Sequence, residues 1–313
     1  MQLISIIVPC YNEEESIPLF YQRVETILTE FNRHKEQYQW EYWFINDGSQ
    51  DASLQHMAYL HARVPETVHY ITFTRNFGKE AALLAGLKEA HGDLVAVMDV
   101  DLQDPPELLP TMIETLEASD YDVIGTQRVD RTGEPWLRAK LSTAFYHVIN
   151  CISQVQIVPG ARDYRLMRQA VVQAIVAMPE YNRFSKGIFS WVGFKTKYLP
   201  FHHQDRIAGE THWSLRQLIA YSLEGIMDYS EVPLSLASWL GGISCVVAIF
   251  SMIGIVIRAL VFGSTTAGWS SLVAIILLLG GLQLFCLGIL GKYIGKIYLE
   301  TKHRPIYLVK EKC

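Results

Sequence analysis

Short apolar runs and amphipathic stretches alternate along the first third of the chain. Runs at 3–8, 42–45, 68–73, 94–98 and 122–125 have the length and composition of buried strands. Between them, residues 16–31, 51–63, 79–91 and 106–118 carry apolar positions at helical spacing. This alternation predicts an α/β fold: a mainly parallel, Rossmann-like sheet covered by helices on both faces, with ligands bound at the carboxyl ends of its strands. Further on the pattern changes. Residues 136–152 place Leu137, Leu141, Phe145, Val148 and Ile152 on one side of a helix. Residues 214–228 set Leu215, Leu218, Ile219 and Ile226 opposite Arg216, Gln217, Glu224 and Asp228, as expected of a helix lying flat on a bilayer.

Beyond that point the periodicity disappears into uninterrupted apolar sequence. No charged residue lies between Glu231 and Arg258, and the 24 residues 234–257 would reach about 36 Å as a helix, against a hydrocarbon core of about 30 Å. A second uncharged run, 269–291, is also long enough to span. The predicted organisation is a catalytic-type α/β domain over 1–213, an interfacial helix and linker over 214–232, two transmembrane helices within 233–291 and a basic tail over 292–313. The segment joining the two spans is short, so both of their outer ends face one side. Lys292, Lys296, Lys302, Arg304, Lys310 and Lys312 follow the second span against Glu300 and Glu311, which puts that side in the cytoplasm. The large domain and both termini are therefore expected on the cytoplasmic face of a plasma (inner) membrane, in a multi-pass protein.

Charge sharpens the division. Residues 1–229 hold 20 Lys and Arg against 29 Asp and Glu, whereas residues 230–313 hold 7 against 3. An acidic main body argues against nucleic acid as a partner. The five cysteines (Cys10, Cys151, Cys245, Cys286 and Cys313) are scattered without metal-ligand spacing and are expected as free thiols.

Polar residues cluster where the predicted strands end: Pro9-Cys10-Tyr11-Asn12-Glu13, Asn46-Asp47-Gly48-Ser49, Arg75-Asn76-Phe77-Gly78-Lys79 and Asp99-Val100-Asp101. Neither a GxGxxG nor a Walker loop is present, so dinucleotide binding and P-loop hydrolysis are unsupported. Asp99 and Asp101, two residues apart just past a strand, with Gln103 and Asp104 following, can hold a hard divalent cation such as Mg²⁺ or Mn²⁺ and leave positions open for phosphate. A bare acid pair of this kind is a weak signal, since solvated acidic turns are common. Pro105-Pro106-Glu107 reads as a helix start that fixes the loop.

The segments VPCYNEEESI, FINDGSQD, TRNFGKEAAL, MDVDLQDPPEL and GARDYRL together resemble the family-two glycosyltransferases of GT-A fold. Among these the chain is most similar to the polyprenyl-phosphate glycosyltransferases, which include dolichol-phosphate mannose synthases and bacterial undecaprenyl-phosphate glucosyltransferases. The resemblance implies that Pro9, Tyr11 and Glu13 line a nucleotide pocket and that Asp47 meets the base or ribose. It implies that Asp99, Asp101 and Gln103 hold the metal against the donor diphosphate, and that Arg206 and His212 grip that diphosphate. His212 stands where the family usually has Lys, and Asn46 where it more often has Asp. Arg128 would meet a phosphate of donor or acceptor. Arg183 and Lys186 are candidates for the acceptor phosphate, with ordinary basic surface as the alternative, and Arg131 and Arg138 are similar.

Asp163 is the residue that the family offers as catalytic base in an inverting attack by the lipid phosphate. A phosphate monoester has a second pKa of about 6, so the nucleophile is mostly ionised at pH 7 and Asp163 can instead orient acceptor or sugar. The implied activity is transfer of a hexose, best matched by glucose from UDP-glucose, to undecaprenyl phosphate, its product feeding cell-envelope or O-antigen glycosylation. Partners are thus a UDP-sugar, a polyprenyl phosphate and a lipid bilayer, with self-association into a homo-oligomer expected. Two other functions compete. A processive polysaccharide synthase would need a QxxRW motif and more spans, and a catalytically idle scaffold would tolerate loss of the metal acids or Asp163.

Overall fold

The computed structural model describes residues 1–33, 37–129, 150–151, 156, 158–178, 180–202, 230, 232–262 and 268–313. Their chain order is β1 (Gln2–Cys10), α1 (Ser16–Asn32), β2 (Tyr38–Asn46), α2 (Ser53–Arg63), β3 (Val68–Phe73), α3 (Lys79–Glu89), β4 (Leu94–Val97), α4 (Leu108–Glu117) and β5 (Val123–Arg128). There follow β6 (Ala161–Arg168), α5 (Gln169–Val176), α6 (Ser185–Trp191), β7 (Thr196–Phe201), the long helices α7 (Val232–Phe262) and α8 (Trp269–Thr301), and β8 (Val309–Lys312). All five strands and all four helices expected before residue 129 are present, with ends displaced by a few residues at most. The helices expected at 136–152 and 214–228 lie outside the described residues, apart from the helical pair 150–151.

The eight strands form one sheet in the order β7-β5-β6-β4-β1-β2-β3-β8. β1 pairs in parallel with β2 and β4, β2 with β3, and β5 with β7, while β6 runs antiparallel between β4 and β5. The chain steps outward from β1 through β2 to β3, then returns to set β4 on the other side of β1. That reversal opens a crevice at the carboxyl ends of β1 and β4, and such reversals are where ligands bind in open α/β sheets.

Two cores sandwich the sheet. On one face Ile4, Ile6, Val8, Tyr42 and Phe44 pack with Phe20 and Val24 of α1, Met57 of α2 and Leu109 and Met112 of α4. On the other, Ile7, Ile45, Ile71 and Val97 meet the alanine-rich face of α3 and Val171, Val172 and Ile175 of α5. Burial on both faces is why β1 reads as a continuous apolar run. The small residues of α3 let it lie close to the sheet. A β-carbon on Gly86 would stand 2.2 Å from Cγ2 of Ile7.

α7 and α8 differ from core helices in what they leave uncovered. Trp239, Phe250, Leu278 and Leu284 are each about 70% exposed, and the stretches Val232–Ser251 and Leu278–Thr301 are long and apolar enough to cross a membrane. α8 continues past its apolar part, through Lys292 and Lys296, to Glu300, whose Oε1 accepts hydrogen bonds from the Tyr181 (2.9 Å) and Asn182 (3.2 Å) amides. The residues after it, expected as a basic tail, join the sheet. β8 pairs antiparallel with β3, Tyr307 stacks on Phe73 at 4.9 Å, Tyr70 Oη donates to Glu311 Oε1 (2.7 Å), and Lys312 meets Glu89 (2.6 Å). The second apolar helix is thus followed directly by an edge strand of the α/β domain.

Candidate active site

The first two loops at the crevice are stapled together by polar side chains. Asn12, with φ +54°, accepts the Gln50 amide on Oδ1 (2.9 Å) and donates its own N–H to Ser49 Oγ (3.0 Å). The Glu13 amide donates to Ser53 Oγ (2.8 Å), and Glu14 Oε2 accepts the Ala52 amide (2.8 Å). These bonds satisfy backbone donors that the loops leave over, so the turns hold a fixed shape.

Asp47 ties in the third loop. Its Oδ1 accepts the Phe77 amide (2.6 Å) and its Oδ2 the Gly78 amide (2.9 Å). Burial pushes its carboxyl above the ordinary value, although these two amides favour the ionised form. The adjacent Gly48 adopts φ +68°, and a β-carbon there would lie 2.4 Å from the Arg75 carbonyl carbon, so only glycine fits. Asp47 lines the crevice with both carboxylate oxygens committed to the 77–78 backbone.

The fourth loop follows β4 and carries Asp99, Asp101 and Asp104. Leu102, nearly buried, takes the left-handed conformation at φ +56°, which a branched side chain adopts only where its surroundings impose it. Asp104, two residues further on, is tied to β6. Its Oδ1 accepts from Arg162 Nε of β6 (2.9 Å), and its Oδ2 is buried without a hydrogen-bond partner among the described residues. Burial raises the Asp104 carboxyl to about 6, with Arg162 opposing the shift. Gln103 Oε1 lies 3.4 Å from Arg162 Nη2, which draws the amide toward that guanidinium.

Lys79, the first residue of α3, reaches across the crevice. Its Nζ stands 2.7 and 2.9 Å from the two oxygens of Asp99 and 2.6 Å from Oδ2 of Asp163 on β6. Burial works against its charge, but Asp163 and Asp99 more than offset that and hold the ammonium protonated well above its ordinary range. Burial likewise raises the Asp163 carboxyl, and Lys79 and then Lys186 outweigh it, leaving the carboxylate well below its usual value. Beneath Asp163, the guanidinium of Arg165 donates to the Asp163 and Arg162 carbonyls (3.2 and 3.0 Å) and lies 3.4 Å over the Phe189 ring. Burial lowers it to about 10, with Asp163 opposing. Glu80 anchors the start of α6, accepting the Ser185 amide (3.0 Å) and its hydroxyl.

Pro9, Cys10, Tyr11, Glu13, Asp47, Asn76, Gly78, Lys79, Asp99 and Asp101 surround one cleft of about 320 Å³. Six of the residues expected at a donor or metal site therefore share it with a cysteine, an asparagine and a lysine. Among the described residues no third His, Cys, Asp or Glu joins Asp99 and Asp101 to make a cage of protein ligands. Two carboxylates facing an open cleft fit Mg²⁺ or Mn²⁺, which take one or two carboxylates and fill the remaining positions with phosphate and water.

The other expected residues are dispersed. Arg183 donates to the Met178 and Ile175 carbonyls (2.7 and 3.3 Å), closing the end of α5. Arg128 ends β5, its amide bonded to the Gly160 carbonyl (2.9 Å). Lys186 lies on α6 with its charge felt at Asp163. Arg138, Arg206 and His212 lie outside the described residues. The sequence pattern did not single out Glu80 or Arg162, and it placed Lys79 and Asp104 only within polar runs at strand ends. Lys79 did carry a signal, because a lysine at the first position of a helix opposes the helix dipole and so points to a role elsewhere.

A family model described as glycosyl transferase family 2 matches residues 5–176. The chain is 43% identical over 307 residues to a prophage bactoprenol glucosyl transferase homolog of Escherichia coli (strain K12), covering 98% of each. It is equally 43% identical over 307 residues to the bactoprenol glucosyl transferase of Shigella phage SfV, again covering 98% of each. The bactoprenol glucosyl transferase of Shigella phage SfX is 42% identical over 309 residues, 99% of both chains.

Proposed function

The chain belongs to glycosyl transferase family 2, and from that premise we propose that it transfers glucose from UDP-glucose to undecaprenyl phosphate at the cytoplasmic face of a membrane. The observation that carries this is the meeting of Asp99, Asp101, Lys79 and Asp163 at one sheet edge, in a chain that also has two exposed apolar helices. The relatives' names supply glucose and the polyprenol.

Pro9, Tyr11 and Glu13 line the side of the cleft that would take the nucleotide, and Asp47 shapes its floor by fixing the 77–78 backbone. Asp99 and Asp101 would hold the divalent cation, with Gln103 near. Bound there, a cation neutralises charge growing on the departing diphosphate, the largest electrostatic demand of such a transfer. Arg206 would add positive charge to the same diphosphate, and His212 a hydrogen-bond donor.

Asp163 stands across Lys79 from Asp99, and the acceptor would be received on its side. A carboxylate paired so closely with an ammonium is a weak base. The acceptor's phosphate, with its second pKa of about 6, arrives at pH 7 already ionised. Asp163 therefore orients acceptor or sugar. Lys186, whose charge is felt at Asp163, would attract the acceptor's phosphate, and Arg128 would add to that attraction. Both termini would be cytoplasmic, with α7 and α8 spanning the bilayer and the cleft on the side where the nucleotide sugar is available.

The test uses membranes containing the protein, radiolabelled UDP-glucose and undecaprenyl phosphate. Label enters the lipid phase with Mg²⁺ or Mn²⁺, and Asp101→Asn lowers the rate by about a hundredfold or more. Undiminished transfer by that variant would overturn the role given to the acid pair. Preference for another donor in a panel of UDP-hexoses would overturn the assignment of glucose alone.

A further inference from the structure

Lys79 joins the two halves of the cleft. Its ammonium touches both oxygens of Asp99, at 2.7 and 2.9 Å, and Oδ2 of Asp163 at 2.6 Å. It therefore occupies the carboxylate that would ligate a cation. An ion bound to an Asp99 oxygen at about 2.1 Å would lie within about 5 Å of this ammonium, and two cations that close repel strongly in a partly desolvated cleft. Asp99 cannot hold both at full strength. Asp163 offers the lysine a second partner already in contact, so it can yield Asp99 without losing its counter-charge.

We propose that Lys79 is a positioning latch. In the unloaded enzyme its ammonium takes the cation's place at Asp99. Arrival of the divalent ion with the donor's diphosphate moves it wholly onto Asp163, fixing that carboxylate for the acceptor. The latch rests on Asp99 and Asp101 being the cation's ligands. It has two consequences. Without nucleotide the cation binds weakly, because it must displace an ion pair. The diphosphate adds the negative charge that tips the competition, so the acceptor side is set only when the donor is in place.

The experiment measures Mn²⁺ binding to the full chain in detergent by electron paramagnetic resonance, with and without UDP. Lys79→Gln, which keeps the polar side chain but removes the charge, binds Mn²⁺ without UDP at least about fivefold more tightly than wild type. The gap narrows when UDP is added, and Lys79→Arg behaves as wild type. Asp163→Asn, which leaves the ammonium to Asp99 alone, weakens Mn²⁺ binding, and does so only while Lys79 is present. A lysine that merely supported the fold would weaken binding when removed, whereas the latch strengthens it. Equal or weaker Mn²⁺ binding by Lys79→Gln without UDP, with UDP-supported binding intact in wild type, would overturn the latch alone. If Lys79→Gln does not fold, an Asp163→Asn affinity equal to wild type overturns it. Absence of Mn²⁺ binding by wild type even with UDP, or unchanged binding by Asp101→Asn, would remove the cation site and the latch with it.

Discussion

At the scale of single residues, the crevice consists of charges that burial penalises and partners that offset the penalty. Asp163 and Lys79 each hold the other ionised. The folded carboxylate lies below its unfolded value and the folded ammonium above its own. The pair's contribution to stability is thus present between the unfolded values of about 4 and about 10.5. It is lost only as pH falls through the depressed carboxyl or rises through the elevated ammonium. Neither group titrates near neutrality, so an ionisation that shapes the rate there is not theirs, and we assign it to the acceptor's phosphate. We expect kcat/KM to rise with one ionisation at about pH 6 and to level above it. Asp163→Asn should lower the plateau by about tenfold to a hundredfold and keep that ionisation, and its disappearance in the variant would identify Asp163 as the base. Asp104 follows the opposite sign. Its carboxyl is raised in the folded state, so its favourable share is present below the unfolded value and is lost as pH rises through about 6. Arg162→Ala removes the cation that offsets this. It should cost about 3 kcal/mol at pH 7 in denaturant unfolding, and visibly less at pH 5, where the carboxyl takes up a proton.

At the scale of elements, β1 to β5 could be read from the sequence because both faces of each are covered, which leaves an apolar run with few alternatives. β6 could not. Arg162, Asp163, Arg165 and Arg168 break any apolar pattern, yet each is accommodated by a specific partner: Asp104, Lys79, two backbone carbonyls, and the Tyr121 and Leu116 carbonyls. β7 contains Pro200, as an edge strand can. β8 is four exposed residues, Val309–Lys312, with no intrinsic preference that would reveal a strand, and its conformation comes from pairing with β3. The candidate site divides in the same way. Asp99, Asp101 and Asp163 were legible as acids in marked positions. Lys79, Glu80, Asp104 and Arg162 act through contacts between elements distant in sequence, which one-dimensional spacing does not contain. The C-terminal strap makes its own prediction. Tyr307→Ala removes the ring stacked on Phe73 and should destabilise the α/β domain by about 2 kcal/mol. That is roughly 4–8 °C in the unfolding midpoint, with no change in Mn²⁺ binding.

At the scale of the whole molecule, an acidic α/β body is joined to two exposed apolar helices, and the chain returns from the second into the sheet's outer edge. The return constrains topology. β8 belongs to the sheet that carries the cleft, so the C-terminus and the site must lie on one side of any membrane that α7 and α8 cross. Cys313 is exposed and reports that side. In a variant with Cys151 replaced by serine, a membrane-impermeant maleimide should label Cys313 in inside-out vesicles and leave it unlabelled in right-side-out ones. The reverse pattern would place the cleft away from the nucleotide sugar and end the proposed direction of transfer. Most of the account depends on the acid pair that follows β4, and one measurement tests it directly: diffraction at the manganese absorption edge from crystals grown with Mn²⁺ and UDP. The expected result is an anomalous peak about 2.1 Å from oxygens of Asp99 or Asp101 and of the diphosphate, with Lys79 withdrawn onto Asp163. UDP bound in the cleft with no anomalous density at either aspartate would contradict it.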